Sequence, residues 1–179
     1  MVLLKFQLMG WLHVYPFNGN ATDESGNGNN GTVYGATLTT DRFGNANKAY
    51  NFNGVNNYIE MPNSPSLNIT DQIIISCWIQ YDFVSDCYED VFMKGNTSYG
   101  FQFSCDENHT LLFHLTSNGW RNLNSNVHPE PYIWYHYAGT YEYSSIYAIV
   151  HALRYDLQTI LETAGEKESG YSVRCIKDY

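Results

Sequence analysis

The chain has 179 residues, of which 16% are aromatic and only 15% charged, and its formal net charge is −9. That length suits one domain with a sizeable core. The acidic balance excludes a nucleic-acid backbone or an anionic membrane surface as partner, because both call for a basic footprint. No run of about 18 apolar residues occurs, so no membrane insertion is expected.

Aromatic and β-branched residues among abundant Asn, Gly, Ser and Thr read as all-β. Residues 1–10, MVLLKFQLMG, carry a late Lys5 and no small-residue cleavage site, so they read as an irregular lead-in rather than a signal peptide. Residues 11–17 are apolar and reach Pro16, which suits an edge strand. Residues 18–31 are almost all Asn, Gly, Asp and Ser, an ordered loop built on positive φ and local side-chain bonds. GTVYGATLTTD, the end of RFGNANKAYNF, and YIEMP each supply a short strand, with NGVNN as a hairpin-type turn. Ile73, Ile75, Cys77, Ile79 and Tyr81 share one face by period two, while Ile74 and Trp78 make the other face apolar. That places residues 73–81 centrally in a sandwich. Further strands are expected at 91–94, 99–104, 110–116 and 132–141.

Beyond Ser145 the pattern changes. Ile149, Leu153, Leu157, Ile160 and Leu161 fall at helical spacing before Gly165, so residues 146–179 read as a short C-terminal helix and then a strand. Cys77 lies inside a strand and reads as a buried thiol. Cys87 and Cys105 flank a strand region and are a candidate disulfide pair, and no CxxC occurs to suggest zinc.

The loop DESGNG sets Asp23, Ser25 and Asn27 at alternate positions before Gly28, the front half of a calcium loop. Tyr34 stands where an EF-hand needs its bidentate Glu, so any Ca2+ site would draw further ligands from elsewhere. The competing reading is an Asx-turn whose side chains bond their own backbone. For sugar recognition, aromatic faces beside directed polar groups are needed. Trp120 and Arg121, next to Asn118 and Asn122, and Tyr99 at the head of a strand are the ligand-contact candidates. Trp78 and Trp134 read as core, and His136 as an interior histidine alternating with Trp134, Ala138 and Thr140.

The stretch from Tyr15 to Ile79, together with WYHYAGTY at 134–141, resembles the laminin-G-like, concanavalin-A-like jelly-roll domains of secreted bacterial proteins. The resemblance implies a two-sheet antiparallel β-sandwich over residues 11–145, a scaffold that often carries a rim calcium. It implies a secreted or cell-surface, non-catalytic module that binds carbohydrate or an extracellular protein. Glycosidases on this scaffold carry paired carboxylates as E-x-D-x-E or E-x-D-x-x-E, and no such spacing occurs here. A glycoside-hydrolase-related fragment is the alternative. IYAIVHALRYD departs from the family pattern, and GYSVRCIKDY weakly resembles the last strand of the Fibrobacter-type major paralogous domain. On that reading the sandwich lacks its final strands, and a truncated remnant without independent function is a third expectation.

Overall fold

The structure is a computed structural model that describes residues 6–8, 13–65, 72–82, 90–94, 99–103, 111–115, 121–124, 127–142, 147–154, 156 and 159–162. The strands are β1 (Phe6–Leu8), β2 (Val14–Tyr15), β3 (Thr32–Tyr34), β4 (Thr37–Thr39), β5 (Ala49–Asn51), β6 (Tyr58–Glu60) and β7 (Gln72–Ile79). They continue as β8 (Asp90–Lys94), β9 (Tyr99–Phe103), β10 (Leu111–Leu115), β11 (Arg121–Asn124), β12 (Tyr135–Glu142), β13 (Tyr147–Arg154) and β14 (Thr159–Glu162). A six-stranded sheet runs β14-β13-β12-β7-β1-β2 and a four-stranded sheet runs β11-β10-β9-β8. Two small ladders, β3 with β6 and β4 with β5, complete the set. Every pairing is antiparallel, as the all-β sandwich requires. No helix among the described residues is long and apolar enough to cross a membrane.

The central pair is β7 and β12, in register from Tyr135 opposite Ile79 to Glu142 opposite Gln72. Ile75, Cys77 and Ile79 on β7 and Tyr135 and Tyr137 on β12 are buried, as period two expects for β7. Cys77 is a free thiol in this core, and burial pushes its pKa up. Phe17 closes the core from the next layer and meets Tyr50 edge-to-face at 5.1 Å between ring centroids. It adopts φ +53°, a left-handed conformation that costs a β-carbon residue about 1–2 kcal/mol. The reversal sends its ring inward and leaves Pro16 and Asn18 on the outside.

Several expectations change. Residues 147–154 are a strand, not a helix: β13 pairs with all of β12, from Tyr147 opposite Glu142 to Arg154 opposite Tyr135. Ile149 and Val150 are β-branched, and an open β12 edge outweighs the helical spacing of the leucines. Phe6–Leu8, within the irregular lead-in, forms β1 between β7 and β2, and β2 is the edge strand that Pro16 implied. NGVNN does not join a hairpin, because β5 pairs with β4 and β6 with β3. Its turn is held by Asn53, whose Oδ1 accepts N–H bonds from Val55, Asn56 and Asn57. Residues 121–124, which no expected strand covered, form β11. Cys87, Cys105 and residues 163–179 lie outside the described residues.

The Tyr137 hydroxyl is buried and has no hydrogen-bond partner among the described residues. An unmade bond of this kind forfeits desolvation energy, so Tyr137→Phe is expected to hold or raise stability by up to ~1 kcal/mol in urea melts. A loss larger than that would show that the hydroxyl is bonded. Burial, aided by Tyr135 and Glu130, pushes Tyr81 up to about 12, and burial first, then Asp23, raises Tyr15. Unfolded phenols ionise near pH ~10 while these keep their protons, so stability is full below that pH and falls as pH rises through it. Thermal melts across pH 8–12 test this.

Candidate functional site

The outer side of the β7–β12 pair is half-buried and carries Trp78 and His136, register partners whose rings lie 5.1 Å apart. Beside them opens a groove of about 260 Å³ lined by Pro16, Asn18, Asp41, Arg42, Phe43, Asn45, Lys48, Ala49, Trp78 and Trp134. Trp78 and Trp134 therefore belong to the groove and not to the closed core. Period two gave the two faces of β7 correctly, but the buried side of β12 is Tyr135 and Tyr137, which puts His136 on the groove side.

Arg42 and Phe43 arrive on the loop between β4 and β5. Asp41 shapes that loop as an Asx-turn: its Oδ1 accepts N–H bonds from Phe43 and Asn45, both at 2.9 Å, and its Oδ2 accepts the Asn45 side-chain amide at 3.1 Å. Gly44 supplies the positive φ of +83° that this turn needs. Burial raises the Asp41 pKa, but the Asn45 and Phe43 donors and nearby Arg42 outweigh it and hold the carboxyl below the usual range. The Arg42 guanidinium sits 4.1 Å from the Phe43 ring centroid and 4.3 Å from that of Trp78, which is cation–π distance for both. Phe43 itself is 57% exposed.

The far wall comes from β2 and the turn after it, with Lys48 Nζ donating to Asn18 Oδ1 at 3.0 Å. Trp134 is set by the segment before β12, which is tied to the end of β7. There the Tyr132 N–H donates to the Tyr81 carbonyl at 2.7 Å and Gln80 Nε2 to the Tyr132 carbonyl at 2.8 Å. Tyr81 donates its hydroxyl to the Pro129 carbonyl. Ring faces beside amide, carboxylate and guanidinium groups are what a pyranose surface requires, with apolar C–H patches to stack and hydroxyls to orient.

Asp23, Ser25 and Asn27 do come together in one loop, where Asp23 and Ser25 accept hydrogen bonds from neighbouring residues. Asp23 Oδ1 accepts from the Val14 N–H at 3.1 Å and the Ser25 N–H at 3.0 Å, and Oδ2 from the Asn29 N–H at 3.2 Å. His13 Nδ1 lies 3.5 Å from Oδ2. Ser25 Oγ accepts both the backbone N–H of Asn27 at 3.3 Å and its side-chain amide at 3.1 Å. Among the described residues, no group of three or more His, Cys, Asp or Glu is placed to hold a metal. Tyr99 and Arg121 begin β9 and β11, each opposite Leu115 of β10, so the four-stranded sheet aligns them across one strand. Trp120 lies outside the described residues. The groove on the six-stranded sheet was missed in the sequence because its aromatic partners, Phe43, Trp78 and Trp134, are far apart along the chain.

Burial raises the Asp23 pKa, but the Ser25 side chain and the Val14, Ser25 and Asn29 amides together lower it below the ordinary carboxylate value. A carboxyl with a depressed folded pKa stabilises the fold above its unfolded value and loses that contribution as pH falls. Asp23→Ala is expected to cost roughly 3 kcal/mol at pH 7, since buried amides lose a charged acceptor. The gap from the parent chain should close as pH falls below about 4. A pH-independent gap in urea melts would assign the loss to packing instead.

No curated protein and no solved structure matches the chain. Residues 52–155, more than half of its length and spanning β6 to β13, match the family described as the concanavalin A-like lectin/glucanases superfamily. With that match laid over an antiparallel all-β architecture, the chain belongs to the concanavalin A-like lectin/glucanases superfamily.

Proposed function

We propose that this protein is a non-catalytic carbohydrate-binding module, acting outside the cell or at its surface, and that it holds sugar in the Trp78–Trp134–Arg42 groove. The observation that carries the reading is the groove's chemistry: three aromatic side chains, one guanidinium and a ring of short polar groups around about 260 Å³. That volume is below the ~300–1,000 Å³ of sites that enclose drug-sized ligands, so it suits a short stretch of a longer glycan.

Retaining or inverting hydrolysis needs two carboxyl groups across the scissile bond. Asp41 is the single carboxylate among the described lining residues, and its oxygens bind its own loop. This supports binding without turnover. We assign Asp23 to holding its loop rather than to Ca2+, because a cation there would displace three amide donors.

Titration against a panel of soluble polysaccharides tests the reading. Trp134→Ala is expected to weaken binding about tenfold, the loss of one stacked aromatic, with the Tm little changed. Retention of full affinity in that variant would remove the groove from the site. Release of reducing ends by the parent chain would turn the proposal towards the hydrolase. The melting temperature is expected to be equal in calcium and in chelator, whereas a rise with calcium that Asp23→Ala abolishes would restore the cation to this loop.

A further inference from the structure

Three non-glycine residues among those described hold a positive φ: Phe17 at +53°, Asn47 at +59° and Tyr132 at +64°. That backbone strains any residue with a β-carbon, and asparagine tolerates it best. Phe17 offsets the strain by burying its ring against Tyr50. Tyr132 has no such compensation, since it is 68% exposed. Among the described residues its ring stacks on no other ring and its hydroxyl meets no hydrogen-bond partner.

Tyr132 sits in the turn of residues 130–133, which the Ile133 N–H closes on the Glu130 carbonyl at 3.4 Å. Pro131 takes the second place and Tyr132 the third, where a turn with positive φ ordinarily uses glycine. The turn is held at several points. The Tyr132 N–H donates to the Tyr81 carbonyl at 2.7 Å, and the Tyr132 carbonyl accepts Gln80 Nε2 at 2.8 Å. The Glu130 N–H donates to the Tyr135 hydroxyl at 3.1 Å, and the Glu130 carboxylate meets the Arg154 guanidinium at the end of β13. Both bonds of residue 132 are made by its backbone, so glycine would make them equally well. What the tyrosine adds is a ring in solvent on a fixed backbone.

A bulky residue kept at a strained position that folding does not require points to a contact outside the chain. Trp134, which lines the groove, follows two residues later, so the two α-carbons are at most about 7 Å apart. We propose, resting on the carbohydrate reading above, that Tyr132 is a further sugar-contacting residue, whose ring stacks on one unit of a glycan while a neighbouring unit occupies the groove at Trp134. A phenol suits that contact, with a face for pyranose C–H groups and a hydroxyl that exchanges hydrogen bonds with sugar hydroxyls. Pro131 and the two backbone bonds present the ring with little freedom to lose on binding.

One variant separates folding from binding. Tyr132→Gly removes the strain together with the ring, so the Tm is expected to hold or to rise by about 2 °C. Affinity for the sugar chain is expected to fall roughly three- to tenfold, the scale of one stacked aromatic. Tyr132→Phe keeps the ring and should bind within about twofold of the parent. Tyr132→Asn tolerates the same φ and repeats the test should glycine loosen the turn. Calorimetric titrations use the full chain against mixed-linkage β-glucan, arabinoxylan, galactomannan and pullulan, with Trp134→Ala as the groove control. Weaker binding in Trp134→Ala with full affinity in Tyr132→Gly would overturn the contact and leave the groove in place. A fall in Tm in both the glycine and the asparagine variants would overturn it by giving the ring a folding role. Binding of the parent chain to none of the four polymers would overturn the carbohydrate reading as well.

Discussion

The rest of the molecule depends on the eight-residue ladder between β7 and β12. Because side chains alternate along a strand, one register choice divides this pair into a sealed face and a working face. The sealed face packs Ile75, Cys77 and Ile79 with Tyr135 and Tyr137. The working face receives Trp78 and His136. A slip by one residue would drive the Trp78 indole into the core and turn Ile75, Cys77 and Ile79 out of it, so the fold and the groove are specified together. The pair has neighbours on both sides, β13 against β12 and β1 against β7, so neither strand is an open edge.

Onto that face the chain brings two polar loops, and each is organised by an aspartate used as an acceptor. Asp23 draws the amides of Val14, Ser25 and Asn29 onto one carboxylate and so pins the loop of residues 18–31 to β2. Asp41 does the same on a smaller scale for Phe43 and Asn45. Charge-assisted bonds to backbone N–H groups stabilise more than neutral ones. They let loops of Asn and Gly hold a shape with little apolar burial of their own. The aromatic residues on those loops are then free to serve different ends: Phe17 turns in to Tyr50, while Phe43 stays out beside Arg42.

Much of this was legible in the sequence where one rule acted alone. Period two gave β7 and the division of its residues between two faces, Pro16 gave the edge strand, and the Asn/Gly run gave an ordered loop with an aspartate in it. It failed where two rules competed. The apolar residues from Ile149 satisfy a helical spacing, yet residues 147–154 pair along the whole of β12, and the edge that β12 offers decides between the two. Periodicity put Trp78 opposite Ile75 and Cys77 but is silent on which side of a strand another layer seals. On β12 the face shared by Trp134, His136, Ala138 and Thr140 is half-buried, and Tyr135 and Tyr137 on the other face go inside.

The groove illustrates a stronger limit. Nothing local to Arg42 marks it as special, since DRFGN reads as a turn and its arginine as a solvated charge. Its role arises only when the turn between β4 and β5 is laid against β7, bringing Trp78 to the guanidinium. The reverse holds for Tyr99 and Arg121, chosen because aromatic and basic residues lie near strand ends. Backbone register aligns them on the four-stranded sheet, each opposite Leu115 of β10. A sugar site is a convergence of rings and donors in space. A sequence shows such convergence only when neighbours in space are also neighbours along the chain. Here the one such pair, Arg42 and Phe43, gains its meaning from an indole supplied by a distant strand.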